Sequence, residues 1–211
     1  MKEKKTPIER FLALDEEKKN RIINAAMEEF QYGYKKASTD AIVKIAGISK
    51  GLLYHYFGSK ENLYGFLIDY AQNLMQEDYF NMMQLGQRDI LESIWQMSLL
   101  RQDIIYTYPQ IYNFLIAIQM YTEDSPKKEM IEQYNKKQKA MIEEIYDTCD
   151  LSLFRDDIDP KRAVDIIVCT LDSLQIVDNY MDLLNSNDDE YEKFLEELSK
   201  YLDTFRTCFY K

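Results

Sequence analysis

Glycine and proline are scarce, six and four in 211 residues. With so few breakers, and with abundant Leu, Ile, Glu, Lys, Gln and Met, the composition favours helices over strands. Histidine occurs once, at His55. A ferritin-like carboxylate-metal bundle needs a Glu-x-x-His on each of two helices, and Leu52 stands at the glutamate's place before the single histidine, so that chemistry is excluded. A Cys-His nucleophile would have to join His55 to a distant cysteine with no supporting motif. The cysteines are Cys149, Cys169 and Cys208, with no Cys-x-x-Cys pair. They read as small core or interface residues in a reducing compartment. There is no glycine-rich phosphate loop, no secretory h-region and no apolar run long enough to span a bilayer. The expectation is a cytoplasmic protein that is not an enzyme, holds no cofactor or metal and does not engage a membrane.

Positive charge is also short overall: 26 Lys and Arg face 37 Asp and Glu, a net of -11. Taken alone, that total argues against nucleic acid, because a DNA-binding surface is basic. The distribution differs from the total. Residues 1-65 carry 12 basic and 9 acidic side chains, whereas residues 66-211 carry 14 and 28. A basic module joined to an acidic body fits this asymmetry, and so does a solvated acidic surface with a near-neutral head.

The chain reads as all-α throughout. Residues 1-14 are expected to form a mobile stem, interrupted at Pro7 and settling at Phe11 and Leu14. Asp15 caps a helix along which Ile22, Ile23, Ala26 and Phe30 recur, and Gly33 ends it. Ser38 caps a helix over 39-46, Gly47 makes a turn, Ser49 caps a second short helix over 50-57, and Gly58 breaks it. Two short helices joined by "AGIS" describe a helix-turn-helix. Six further helices are expected, over about 60-83, 89-106, 109-121, 125-149 and 159-184, then from a capping box at Asn187 and Glu190. Ser125-Pro126 and Asp159-Pro160 carry the N-cap and N1 signature.

The segment Gly47 to Tyr64, "GISKGLLYHYFGSKENLY", crowds aromatics and the one histidine between glycines and serine caps. A recognition helix needs an inner face that locks it down, an outer face of donors, and N-terminal amides aimed at phosphate. Leu53 and Phe57 supply the inner face. Lys50, Tyr54, His55 and Tyr56 supply donors, and Gly51 lets the backbone approach a groove. The bland alternative is a histidine packed at a helix end.

Residues 21-67 resemble the DNA-binding domain of the tetracycline-repressor (TetR) family. The resemblance rests on Ala26, Phe30, Gly33-Tyr34, Ser38-Thr39, Ile42, the run Ala46 to Gly51, the helix Leu53 to Phe57, and Ser59 to Leu63. It implies an N-terminal helix-turn-helix domain over 15-60 and a larger helical effector-binding and dimerisation domain over 61-211. It implies DNA contacts by Thr39, Lys50, Gly51, Leu52, Tyr54, His55, Tyr56 and Lys60. Leu52 departs from the polar residue often found there, so apolar contact with a thymine methyl replaces hydrogen-bonded readout. Val43 and Lys44 also depart from the commoner pattern. The implied function is a ligand-responsive transcriptional repressor that binds a palindromic double-stranded DNA operator as a homodimer and is released by a small-molecule effector, with an activator of the same family as the alternative.

In the body, Trp95, Tyr106, Tyr112, Phe114, Met120, Tyr121 and Tyr134 are the candidate effector pocket, against the alternative of ordinary aromatic core. Acidic and aromatic lining suits a cationic or amphipathic small molecule. The last helix carries an apolar stripe, and the helix before it is apolar on more than one side. Leu171, Leu174, Phe194, Leu198, Tyr201, Leu202 and Phe205 are therefore expected at a dimer interface. The rival reading is a helical sensing or interaction module without DNA binding.

Overall fold

The computed structural model describes residues 5-84, 88-177 and 188-211, with side chains described except at 76-84, 101, 103, 138, 141-147, 172-177 and 188-190. Ten α-helices are present among the described residues: α1 (Pro7–Leu12), α2 (Glu16–Phe30), α3 (Thr39–Ala46), α4 (Lys50–Phe57), α5 (Lys60–Gln84), α6 (Ile90–Thr107), α7 (Ile111–Met120), α8 (Lys128–Thr148), α9 (Pro160–Val177) and α10 (Asp188–Phe209). The expected cap at Asn187, the stretch 178-184 and the interruption at 85-87 lie outside the described residues.

The chain forms two compact units. One joins residues up to Met75 with Ile105–Asn135; the other joins Gln76–Ile104 with Lys136–Lys211. The first unit therefore runs past the boundary expected at residue 60.

In the first unit the N-terminal residues form a helix instead of a bare stem. Pro7 starts α1: the Thr6 side chain accepts from the Glu9 amide, and the Glu9 carboxylate accepts from the Thr6 amide. Those bonds hold the Glu9 carboxyl below its usual range. Proline belongs at the first helical position, where its missing N–H would be unpaired anyway. The reward for ordering α1 is Phe11, fully buried against Tyr56, Phe57 and Phe66 at ring distances of 5.5, 4.9 and 5.4 Å. Ile22, Ile23, Ala26, Met27 and Phe30 of α2 line the same core with Ile42, Ala46, Leu53 and Phe57.

Helix α7 adds Ile111, Phe114, Ala117 and Ile118 to that unit's buried residues. Asn24 donates to the Thr107 carbonyl at 2.9 Å. Tyr108 donates to Asn20 at 2.9 Å and lies 2.6 Å from the Tyr70 hydroxyl, which must then be the donor of that pair. Helix α8 begins at Lys128, later than Ser125-Pro126 suggested, because a 3-10 turn over Thr122–Asp124 comes first and the Ser125 hydroxyl accepts from the Lys127 amide.

The second unit buries Ile90 and Leu91 of α6 with Ala163, Val164 and Ile167 of α9, Leu198, Leu202 and Phe205 of α10, and Phe154 and Tyr210. Asp89 anchors it: its carboxylate accepts from the Tyr210 hydroxyl at 2.7 Å and from Arg206 at 3.2 Å. Burial first, then the Asp89 hydrogen bond, pushes the Tyr210 hydroxyl well above its usual range.

Candidate nucleic-acid interface

The site is built from three serine caps and two glycines. The Ser38 hydroxyl accepts from the Ala41 amide at 3.3 Å and starts α3. Gly47 closes α3 at φ +64, in the left-handed region, which frees the Ile48 amide to donate to the Val43 carbonyl at 3.0 Å. Ser49 accepts from the Leu52 amide at 3.2 Å and starts α4; Gly58 ends it at φ +74. Ser59 accepts from the Asn62 amide at 3.0 Å and starts α5. The Arg21 Nε donates to the Ala46 carbonyl at 2.9 Å and fixes α3 to α2.

This frame sorts the expected contacts by side. Leu53, Tyr56 and Phe57 face inward at 2%, 9% and 4% exposure. Tyr56 is therefore a packing residue, set on Phe11, and not part of the outer donor face expected for it. The reason is register: residues 53, 56 and 57 follow i, i+3, i+4 on one side of the helix. Lys50, Gly51, Tyr54 and His55 are exposed, Thr39 and Leu52 half-buried. The Thr39 and Tyr54 hydroxyls lie 3.5 Å apart, joining the two helices of the motif on their outer side.

The lysines are not equivalent. The Lys50 ammonium lies 2.8 Å from the Asp40 carboxylate, whose hydrogen bond holds it above the usual lysine range. The Lys60 ammonium sits 4.7 Å over the Tyr34 ring and 6.0 Å from Phe30, and burial lowers its pKa. Lys60 thus ties the start of α5 to the end of α2 through cation-π contact. Nothing in the sequence marks Asp40, since a partner ten residues away on another helix leaves no local pattern.

The connection from α7 to α8 also grips this part of the first unit. The Tyr121 ring lies 3.0 Å from where a Cβ would stand on Gly33, whose φ is +90. Asp124 pairs with Lys35, Lys127 pairs with Glu61 at 3.1 Å, and Ser125 hydrogen-bonds Tyr64. These contacts join elements far apart in sequence and had no signal in it.

The expected effector residues do not all come together. Phe114 is fully buried against Tyr64 at a ring distance of 6.0 Å, Tyr112 is buried, Tyr121 covers Gly33, and Tyr134 is half-buried. Tyr106 and Met120 are exposed, and Trp95 packs against the second unit's core. Among the expected dimer residues, Leu198, Leu202 and Phe205 are buried within the second unit itself. The stripe on α10 is filled by α9 and α6 of the same chain, which corrects their expected place at a subunit surface. Leu171, Phe194 and Tyr201 pack on that core while half-buried, and the Leu174 side chain lies outside the described residues.

An all-helical fold with a capped helix-turn-helix and an outward face of Lys, Tyr and His defines a helix-turn-helix protein. Residues 22–65 match the model of the bacterial regulatory proteins, tetR family. The likeness to that family lies in the helix-turn-helix segment of the N-terminal unit.

Over 126 residues it is 30% identical to the HTH-type transcriptional regulator QacR of Staphylococcus aureus (strain Mu50 / ATCC 700699), covering 59% of this chain and 65% of that protein. Over 49 residues it is 39% identical to the uncharacterized HTH-type transcriptional regulator YhgD of Bacillus subtilis (strain 168), covering 23% and 26%. The match thus spans just under two thirds of the first relative's length and about a quarter of the second's. Among solved structures, a TetR family transcriptional regulator from Chloroflexus aurantiacus J-10-FL superposes with a TM-score of 0.59 at 19% identity, covering 98% of this chain and all of that one. The ketosteroid transcriptional regulator KstR2 of Mycobacterium tuberculosis gives 0.62 at 19%, covering 90% and 93%. At such identities the likeness is one of fold.

Proposed function

We propose that this chain is a ligand-responsive transcriptional regulator that binds a palindromic DNA operator as a homodimer, with repression released by a small-molecule effector. The observation that carries the reading is the exposed row of Lys50, Gly51, Tyr54 and His55, with the half-buried Thr39 beside it, on two helices whose starts are serine-capped and whose ends are glycines of positive φ. Tyrosine, threonine and lysine suit phosphate oxygens; His55 and the half-buried Leu52 suit base edges and thymine methyls. Two copies would present two such rows to half-sites roughly 34-36 Å apart.

Effector response fits the connection from α7 to α8, which holds Gly33, Lys35, Glu61 and Tyr64 by four separate contacts. A ligand that favours another placement of that connection would shift the population of heads able to engage both half-sites. Three amide atoms buried in the first unit, Asn24 Oδ1, Gln72 Nε2 and Asn113 Oδ1, have no protein partner. A buried polar atom needs an answering group, which supports a small molecule with hydrogen-bonding capacity as the effector.

The test is selection of bound sequences from a random duplex pool by the full chain. A near-palindromic consensus is expected. A pool that emerges unenriched would refute the reading.

A further inference from the structure

Asp40 is the second residue of α3, and Lys50 is the first of α4. Their side chains bridge the starts of the two helices at 2.8 Å while remaining 74% and 51% exposed. The carboxylate thus occupies the ammonium that the outer face would otherwise offer to DNA, and it stands beside Thr39, the other donor at that helix start. A phosphate approaching here meets a negative charge and a lysine already partnered.

We propose that Asp40 is a specificity-determining residue of the DNA-binding face: its carboxylate competes with DNA for the Lys50 ammonium, so that only a well-placed acceptor draws the lysine away. The inference rests on the DNA-binding reading above.

The physical argument is one of balance. An exposed ion pair is a weak partner, easily exchanged for a bidentate base edge or a fixed phosphate. Nonspecific duplex offers phosphate in poor register, and there the exchange yields no net gain while the Asp40 charge still repels the backbone. Asp40 therefore lowers nonspecific affinity more than specific affinity. An acidic group at this place also suits α3, since the first turn of a helix favours negative charge. Asparagine retains the shape and a first-turn acceptor but loses the charge, which makes Asp40→Asn a clean probe.

The experiment compares the unaltered chain, Asp40→Asn, Lys50→Gln and the double variant by fluorescence anisotropy. The probes are a duplex selected by the unaltered chain and a scrambled duplex of equal length, each over a range of salt. Circular dichroism melts check that every variant folds. Asp40→Asn is expected to bind the scrambled duplex about two- to fivefold tighter, the weight of an exposed pair. Its salt dependence should steepen by about one phosphate equivalent. Affinity for the selected duplex should change less, so the specificity ratio falls. In the Lys50→Gln background the gain on scrambled duplex should shrink to the residual of simple charge removal.

An equal gain on both duplexes, an undiminished gain without Lys50, or no gain at all would overturn the inference while leaving DNA binding intact. Failure of the unaltered chain to bind any duplex would overturn the DNA-binding reading and this inference with it.

Discussion

Replacing Phe11 by alanine tests whether α1 is a working part of the unit proposed to bind DNA. The ring is fully buried and makes edge contacts with Tyr56, Phe57 and Phe66. Truncating a core phenylalanine costs about 3-5 kcal/mol, of which each aromatic pair contributes about 0.5-1.5 kcal/mol. The short α1 can detach on its own, which limits the loss, so the lower end, about 3 kcal/mol, is expected. For a unit of roughly 100 residues that corresponds to a fall in Tm of about 10-20 °C. The neighbouring Leu12 is 44% exposed, and Leu12→Ala should stay within about 0.5 kcal/mol. Urea unfolding followed by circular dichroism gives both values. Because Tyr56 and Phe57 hold α4 down, duplex affinity should drop together with stability in Phe11→Ala. If Phe11→Ala and Leu12→Ala unfold at the same urea concentration and bind duplex equally, the reasoning is wrong and α1 is an appendage.

Three further outcomes follow from the same geometry. Gly47 and Gly33 both have positive φ, but a Cβ at Gly47 meets nothing within 4 Å whereas one at Gly33 meets the Tyr121 ring at 3.0 Å. Gly47→Ala should therefore lose about 1-2 kcal/mol of stability to backbone strain alone, and Gly33→Ala measurably more, as read by urea melts. Tyr54→Phe should change Tm little, since the exposed hydroxyl's contact with Thr39 is long at 3.5 Å, yet weaken binding to all duplexes alike in anisotropy. Stability should fall as pH rises above the ordinary tyrosine range. Burial pushes the Tyr108 hydroxyl up, with the Tyr70 bond adding to it, and Tyr210 is raised in the same way. The folded state then holds protons the unfolded chain releases, so this stabilisation is complete below the unfolded pKa and lost above it. In Tyr108→Phe the alkaline decline should be shallower; an identical decline would contradict the assignment.

Local signals in the sequence placed the motif to the residue. Ser38, Gly47, Ser49 and Gly58 each act within four positions, and α3 and α4 begin and end where those residues stand. The capping box at Thr6 and Glu9 was equally local, but Pro7 reads as an interruption unless its place at the first helical position is recognised. The inward turn of Tyr56 was legible from its spacing to Leu53; its hydroxyl drew it to the outer face instead. What the sequence could not carry was pairing at a distance. Asp40 with Lys50, Lys60 over Tyr34, and Tyr121 on Gly33 depend on how helices meet. The α10 stripe announced an apolar face without saying what would cover it, and the covering is intramolecular for Leu198, Leu202 and Phe205.

The central claim is that the outer face of α3 and α4 is where duplex DNA sits. Backbone amide shifts of the full chain, recorded as the selected duplex is added, test it directly. The account predicts large changes at Thr39 and at Lys50 to His55, with Leu198 to Phe205 unmoved; changes concentrated elsewhere, or none, would contradict it.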